Sequence, residues 1–331
     1  MWPFFSKKRK LNQEMNMPDS QPNFSPPSST LYSNLEDLVA FRFHVKQKKL
    51  AHQNRIMSSS SGSHHALKKG QGMTFSEVRQ YQPGDDIRHI DWRVTARTQK
   101  PHTKVFIEEH ERPTILVTEQ TPALFFGTQV RLKTAQALNV SAILAWVALN
   151  QNERVGGFTF NHVQQVWIPP KRSQHTLLYS LQQSIQMQST VQQPETVNPL
   201  LWQKSLKQLT QVVKPGSKLF LIGDMLQLSH TSRGYLQKLR RHNDIVALHI
   251  VDPLEKSLPK LGWLNLTQNR SSNTPLALNS ANQKIQQWYA QIYQTQWKNA
   301  FDQFIKLNIP LIEINSDENP VKALCRHKVI L

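Results

Sequence analysis

From residue 113 onward, the apolar and polar positions alternate between the pattern of buried strands and that of amphipathic helices. Short apolar runs that suit strands covered on both faces occur at 114–118, 154–160, 218–223, 245–251 and 310–315. Helical spacing predicts helices at 128–149, 173–187, 199–213, 231–241, 281–307 and 320–326, and residues 262–279 suit short strands and turns. Strands that alternate with helices predict an α/β fold in which helices cover a mostly parallel sheet. We expect the five strand segments to share one central sheet, with a further strand at 163–168 beside 154–160.

The first 112 residues do not follow this alternation, and we divide them into two segments. Residues 1–31 form a predicted disordered basic and polar tail, because 11–31 are rich in Asn, Gln, Ser and Pro and hold few apolar residues. Residues 32–112 begin with a predicted helix at 32–49 and end with a predicted strand at 103–107. The α/β core then occupies residues 113–331.

The most unusual segment of the chain lies at residues 81–97. It combines a glycine, three aspartates, three arginines and a tryptophan, namely Gly84, Asp85, Asp86, Arg88, Asp91, Trp92, Arg93 and Arg97. Pro83 presets its φ and Gly84 accepts a positive φ, so this pair predicts a turn. Aspartates cap backbone N–H groups or pair with guanidinium groups. We therefore expect a loop that hydrogen bonds hold in a fixed shape.

Two interpretations of this loop stay open. In the first, which is the one we predict, it has a structural role: Asp85, Asp86 or Asp91 pairs with Arg88, Arg93 or Arg97, and Trp92 is largely buried as an apolar anchor. In the second it is a surface at which a partner docks, and Trp92 is then exposed. A catalytic centre is not supported, because no nucleophile stands beside a general base in the sequence.

Residues 72–97 resemble the hallmark segment of the bacterial domain of unknown function 58 family, and the similarity extends from about residue 35 to the C-terminus. Shorter matches follow in the family's order, Phe-Phe-Gly at 125–127, Arg-Val-Gly-Gly at 154–157, Leu-Ile-Gly-Asp at 221–224 and Asp-Pro-Leu-Glu at 252–255. The resemblance implies a Rossmann-like core of the von Willebrand factor A type, with an ion site at one edge of the sheet. It also implies a non-enzymatic adaptor, scaffold or assembly factor that works with a MoxR-type AAA+ ATPase. Other von Willebrand A-like proteins are implied as further partners, and no reaction is implied.

The ion site that this resemblance implies is altered in the present chain. In a von Willebrand A fold, an Asp-x-Ser-x-Ser sequence, a loop threonine and a later aspartate hold Mg²⁺ or Mn²⁺. The matching residues here are Glu119, Thr121, Ala123 and Asp224, with Thr196 as the nearest candidate for the threonine. Ala123 offers no oxygen, and Glu119 is one methylene longer than aspartate, which misplaces its carboxylate for the short distances that Mg²⁺ requires.

We therefore expect a degenerate metal-ion-dependent adhesion site. Glu119, Thr121 and Asp224 should converge, but they should bind Mg²⁺ no more tightly than roughly millimolar, because hard-ion affinity follows the number and charge of the ligands. No other cofactor is expected.

Composition narrows the possible functions. Among the 331 residues, 40 Lys and Arg stand against 22 Asp and Glu, a formal net charge of +18. This charge predicts an alternative function, binding to nucleic acid or to an anionic membrane surface. Aromatic residues followed by four basic ones at 2–10 suit peripheral contact with the inner membrane. The single cysteine, Cys325, suits the cytoplasm, and no phosphate-binding loop of an ATPase is present.

Overall fold

A computed structural model describes residues 4–5, 31–51, 73–108, 112–190, 200–267 and 276–331. The chain divides into two compact units, one of residues 1–60 together with 113–331 and one of residues 61–112. The predicted tail at 1–31 lies almost wholly outside the described residues, as does Thr196, and the predictions about them stay predictions.

The helices and strands of the described residues are as follows in chain order. The strands are β1 (Phe4–Phe5), β2 (Met73–Gln80), β3 (His102–Glu108), β4 (Thr114–Glu119), β5 (Val155–Phe160), β6 (Gln165–Lys171), β7 (Lys218–Gly223), β8 (Asp244–Val251), β9 (Trp263–Thr267), β10 (Leu276–Asn279) and β11 (Leu311–Asn315). The helices are α1 (Leu35–His44), α2 (Trp92–Thr98), α3 (Lys133–Asn150), α4 (Gln174–Thr190), α5 (Leu200–Val212), α6 (His230–Arg240), α7 (Pro253–Lys256), α8 (Gln283–Lys306) and α9 (Pro320–Arg326).

A six-stranded sheet forms the centre of the larger unit, and it contains all five predicted strand segments. Its order is β11-β8-β7-β4-β5-β6, and each neighbouring pair is parallel except β5 with β6. When the six strands are numbered along the chain and read from the β6 end, the order is 3-2-1-4-5-6, the order of doubly wound Rossmann sheets. The predicted α/β fold, a Rossmann-like core with a mostly parallel sheet, is therefore confirmed. A separate sheet pairs β9 antiparallel with β1 and β10.

Two apolar clusters cover the two faces of the central sheet. Side chains alternate between faces along each strand, so that Leu116 and Phe220 join one cluster while Ile115 and Leu219 join the other. The first cluster includes α3, which is buried along nearly its whole length. The second includes residues of α5, α6 and α8. Burial on both faces explains why the strands read as continuous apolar runs.

Helix α1 belongs to the larger unit. Asn34 caps it by accepting a hydrogen bond from the Asp37 N–H at 2.7 Å. Its residues Leu38 and Phe41 lie in the cluster around α3, and the Trp146 indole donates to the Leu38 carbonyl at 2.9 Å. The structural division thus differs from the predicted grouping of residues 32–112, because the helix packs on the core and does not belong to the smaller unit.

The smaller unit contains a β-hairpin, in which β2 pairs antiparallel with β3. Residues 81–101 connect the two strands, and they contain helix α2 and a short 3-10 turn at Ile87–His89. In neither unit do the described residues form a helix that combines the length and apolar character of a membrane span.

Candidate functional site

The carboxyl edge of the central sheet brings polar side chains of neighbouring strands together. Glu119 is the last residue of β4, and Asp224 directly follows β7. These strands are neighbours where the strand order reverses, the position at which open α/β sheets bind ligands. Thr121 Oγ1 donates to Glu119 Oε1 at 2.5 Å, and the Asp224 N–H donates to Glu119 Oε2 at 2.8 Å. Glu119, Thr121 and Asp224 therefore converge, as the family order of the strands predicts.

The Glu119 carboxyl group is an internal group of the fold. It is 1% exposed, and the Trp202 indole donates a third hydrogen bond, to Oε2 at 2.9 Å. Burial, and after it the nearby Asp224 charge, raises the pKa of Glu119 to about 7, even though the three hydrogen bonds lower that pKa. Both oxygens are engaged by donors of the protein itself, so neither is presented to a ligand.

Gly223 makes room for the longer side chain of Glu119. A Cβ atom at Gly223 would lie 2.3 Å from Glu119 Oε2 and 2.6 Å from Glu119 Cβ. Real Cβ atoms do not approach so closely, and the second contact involves an atom that the backbone of β4 holds in place. The glycine of the Leu-Ile-Gly-Asp match is thus a steric requirement of this edge.

We expect Gly223→Ala to lower the free energy of unfolding by about 1–3 kcal/mol, because the extra methyl group forces β4 and β7 to shift. Gly234 in α6 is the matched control, since a Cβ there meets nothing within 4 Å. Gly234→Ala should stabilise the protein by about 0.5–1 kcal/mol through helix propensity. Urea denaturation of the wild type and both variants measures these changes. A Gly223→Ala variant as stable as the wild type would show that β4 and β7 accommodate the methyl group without loss of stability.

A lysine that sequence reasoning missed stands at the same edge. Lys133 is the first residue of α3 and is 0% exposed. Its Nζ lies 2.9 Å from Glu255 Oε1 and 3.8 Å from Asp224 Oδ2. Burial lowers the pKa of Lys133, but the carboxylates of Glu255 and Asp224 outweigh burial and leave that pKa raised, so the group stays charged.

The sequence contained one signal for this lysine. Lys133 opens a segment, 133–150, that holds no other charged residue. A cation at a helix N-terminus also opposes the helix dipole. It is tolerated there when carboxylates of other elements compensate, and those carboxylates come from distant parts of the chain.

The Asp-Pro-Leu-Glu match at 252–255 contributes two further carboxylates to this edge. Asp252 and Glu255 make a capping box at the start of α7. Asp252 also accepts hydrogen bonds from the Thr128 hydroxyl at 2.5 Å and the Ser316 hydroxyl at 2.8 Å. The predicted start of a helix at 128 is therefore wrong: α3 begins at Lys133, and Thr128 holds Asp252.

His249 of β8 completes the buried group. Its Nδ1 accepts from the Met225 N–H at 3.2 Å and lies 3.5 Å from Asp224 Oδ1, while its ring packs 5.7 Å from that of Trp297. Burial lowers the pKa of His249 to about 4. The imidazole is therefore neutral at physiological pH, and its acceptor role at Nδ1 leaves the proton on Nε2.

These donors do not fit a divalent metal ion. The Glu119 oxygens are taken by protein donors, Ala123 supplies no oxygen, and an ammonium group lies beside Asp224. Within the described residues, no group of three or more His, Cys, Asp and Glu side chains is arranged to hold a metal.

The second candidate site is the hallmark segment, residues 81–97. Gly84 adopts a φ of 106°, which explains the glycine of the predicted turn. The carboxylates of its three aspartates accept hydrogen bonds from backbone N–H groups of the same segment. Asp85 accepts from the Gln82 N–H, Asp86 accepts from the Arg88 N–H, and Asp91 caps α2 by accepting from the Arg93 and Val94 N–H groups. The predicted fixed loop is therefore built by side chains that bind its own backbone, and it includes a helix that the sequence pattern did not reveal.

The predicted burial of Trp92 is wrong. Trp92 is 69% exposed and Ile87 is 65% exposed. The predicted pairing of aspartates with the arginines of the segment is also not what the structure shows: Asp85 pairs with Arg79 at 2.7 Å, and Asp91 lies 3.6 Å from Lys104. Trp92 is the first residue of α2. The hydrogen bonds from Asp91 fix the start of this helix, so the fixed shape of the loop does not depend on burial of the Trp92 ring.

A comparison with protein families agrees with the resemblance of this segment. A profile of the family described as "Protein of unknown function DUF58" matches residues 77–299. Uncharacterized protein Rv1480 of Mycobacterium tuberculosis and Uncharacterized protein Mb1516 of Mycobacterium bovis are each 27% identical over 245 residues, covering 71% of this chain and 73% of the relative. Among solved structures, the conserved hypothetical protein BatB from Bacteroides thetaiotaomicron matches with a TM-score of 0.37 and 12% identity, over 66% of this chain and 96% of that chain.

Proposed function

The chain belongs to the DUF58 family of proteins of unknown function, and from that premise we propose that it is a non-enzymatic adaptor or assembly factor. Its partner is a MoxR-type AAA+ ATPase, which it binds through the exposed part of the hallmark segment. We place this partnership in the cytoplasm, where the ATPase meets its nucleotide.

The observation that carries the proposal is the exposure of Trp92. We define the hallmark surface as Ile87, Arg88, Trp92, Arg93 and Arg97, all of which are exposed. Tryptophan and arginine are the residues most enriched at energetic centres of protein interfaces. The aspartates of the segment are occupied with the backbone, Arg79 and Lys104. The surface thus offers apolar side chains among positive charges, which suits an acidic partner surface with an apolar pocket.

The sheet edge supports a role without catalysis. Among the described residues, the buried titratable groups there include Glu119, Asp224, Lys133 and His249, and each contacts another member of this group. A general acid or base must reach the proton that it transfers. Side chains that face one another inside the fold serve its stability.

The test is affinity capture from native lysate with three versions of the full chain: the wild type, Trp92→Ala and Trp263→Ala. Trp263 in β9 is the matched control, because it is 70% exposed but lies outside the hallmark surface. We expect the wild type and Trp263→Ala to recover the AAA+ ATPase, and Trp92→Ala to recover it roughly tenfold less, as for the loss of an interface hot spot. Mass spectrometry quantifies the ATPase.

The stability of Trp92→Ala is part of the same test. Because the ring is exposed, its removal should change the free energy of unfolding by no more than about 0.5 kcal/mol. Loss of the ATPase in a variant of unchanged stability locates the contact at Trp92. Equal recovery of the ATPase by all three proteins would refute the proposed surface.

The net charge of +18 supports a second candidate, binding to nucleic acid or to an anionic membrane surface. Phosphate contacts release counterions, so affinity then falls steeply with salt. Filter binding to DNA and RNA, and sedimentation with vesicles that contain anionic lipid, at about 50 and 200 mM salt measure it. Strong, salt-sensitive binding that Trp92→Ala does not weaken would favour this candidate over the adaptor.

A further inference from the structure

Three connections of the central sheet meet at one ammonium group. Lys133 lies on the helix after β4, Asp224 on the connection after β7, and Glu255 on the short helix after β8. Lys133 Nζ lies 2.9 Å from the Glu255 carboxylate and 3.8 Å from the Asp224 carboxylate. One positive charge thus joins segments that are far apart in sequence.

The acidic groups of this edge require a cation. Glu119, Asp224, Asp252 and Glu255 all have little or no exposure. Asp252 is satisfied by Thr128 and Ser316, and Glu119 by Thr121, Trp202 and the Asp224 N–H. For Asp224 and Glu255, the cation at the edge is Lys133. Buried carboxylates without a compensating positive charge strongly destabilise a folded protein.

We propose that the Lys133 ammonium is the built-in cation of this site and does the work that a divalent ion does in an intact von Willebrand A-type site. It neutralises Asp224 and Glu255 and ties together the connections that follow β4, β7 and β8. Because Lys133 is fully buried, this cation has no open position for a carboxylate of a partner. The edge is therefore closed to metal-bridged adhesion, and its contribution to the protein is structural.

Chemical rescue tests this inference. Lys133→Ala leaves a cavity in which the carboxylates lack their cation. Thermal unfolding is followed at pH 8 in sodium chloride, ethylammonium chloride and magnesium chloride of equal ionic strength. Lys218→Ala is the matched control, because Lys218 is also buried but is the first residue of β7, at the opposite end of that strand, where its Nζ lies 3.5 Å from the Glu153 carboxylate.

We expect the midpoint of Lys133→Ala to rise by roughly 5 °C or more in ethylammonium or magnesium, at about a hundredfold excess over the dissociation constant. The wild type and Lys218→Ala should respond to these salts as they do to sodium chloride. If Lys133→Ala does not fold in sodium chloride, refolding from denaturant in each salt replaces the thermal measurement. Refolding of Lys133→Ala in ethylammonium or in magnesium, but not in sodium chloride, supports the proposal. Refolding in none of the three salts contradicts it.

A second variant tests whether the charge itself matters. Lys133→Met keeps much of the side-chain volume without the ammonium, and its midpoint at pH 8 should lie well below that of the wild type. A Lys133→Met variant as stable as the wild type would overturn the proposal. Tight, micromolar binding of Mg²⁺ to the wild type would overturn it too, since the site would then hold a metal with Lys133 in place. None of these outcomes affects the hallmark surface, so this inference and the proposed function stand or fall separately.

Discussion

Trp202→Ala is expected to lower the free energy of unfolding by about 3–5 kcal/mol, the range for truncation of a buried aromatic side chain. The Trp202 ring is 1% exposed and makes an edge-to-face contact with Phe160, with ring centroids 4.8 Å apart. Its indole N–H also donates to Glu119 Oε2. Removal therefore leaves a cavity beside the second apolar cluster and takes a donor from a buried carboxyl group. Urea denaturation at constant pH measures the change.

Two further variants separate the causes of this loss. Trp202→Phe retains most of the ring but cannot donate a hydrogen bond, and it should cost about 1–3 kcal/mol. Trp263→Ala removes an exposed ring and should change stability by no more than about 0.5 kcal/mol. A Trp202→Ala variant that matched Trp263→Ala would mean that the ring does not lie in the core.

The second large effect concerns pH. The pKa of Glu119 rises from its ordinary value of 4.5 to about 7 in the folded protein, because burial and then the Asp224 charge disfavour the ionised form. The folded state therefore holds a proton between pH 4.5 and 7 that the unfolded state releases. The stabilising contribution of this proton is complete below pH 4.5 and is lost as the pH rises to about 7. The total loss is about 3 kcal/mol.

Glu119→Gln isolates this contribution. The amide oxygen accepts from Trp202 and Asp224 as the carboxylate does, the amide nitrogen faces the Thr121 hydroxyl, and nothing titrates. We expect the stability of the variant relative to the wild type to increase steadily from pH 5 to pH 8, by most of that 3 kcal/mol. The pKa of His249 is lowered to about 4, so its contribution to the free energy of unfolding is lost in the opposite direction, as the pH falls from 6.5 to 4. That contribution is the same in Glu119→Gln and in the wild type. Parallel stability curves for the two proteins would show that Glu119 is ionised throughout.

Much of the fold follows from local pattern. The apolar runs at 218–223 and 245–251 are strands because both of their faces are covered, and the alternation of strands with helices then leaves few possible sheet orders. The convergence of Glu119 and Asp224 was implied by the family resemblance, which places both residues after core strands, and parallel strands present their carboxyl ends at one edge. The helix boundary at Thr128 was wrong because its hydroxyl binds Asp252, 124 residues away, and no local rule contains that partner.

The hallmark segment shows where local reasoning stops. Its turn at Gly84 was predicted from the conformational freedom of glycine, and the capping role of aspartates from their short side chains. The exposure of Trp92 was not, because an apolar residue is buried only if the fold brings another surface against it.

The sequence by itself determined the class of the fold and the places of its strands along the chain, since these depend on residue type and spacing. The tertiary structure alone decided which charged groups meet at the carboxyl edge of the sheet. Lys133, Asp224 and Glu255 are separated by up to 122 residues, and the pairing of a buried charge depends on distances in space, which spacing along the chain does not contain.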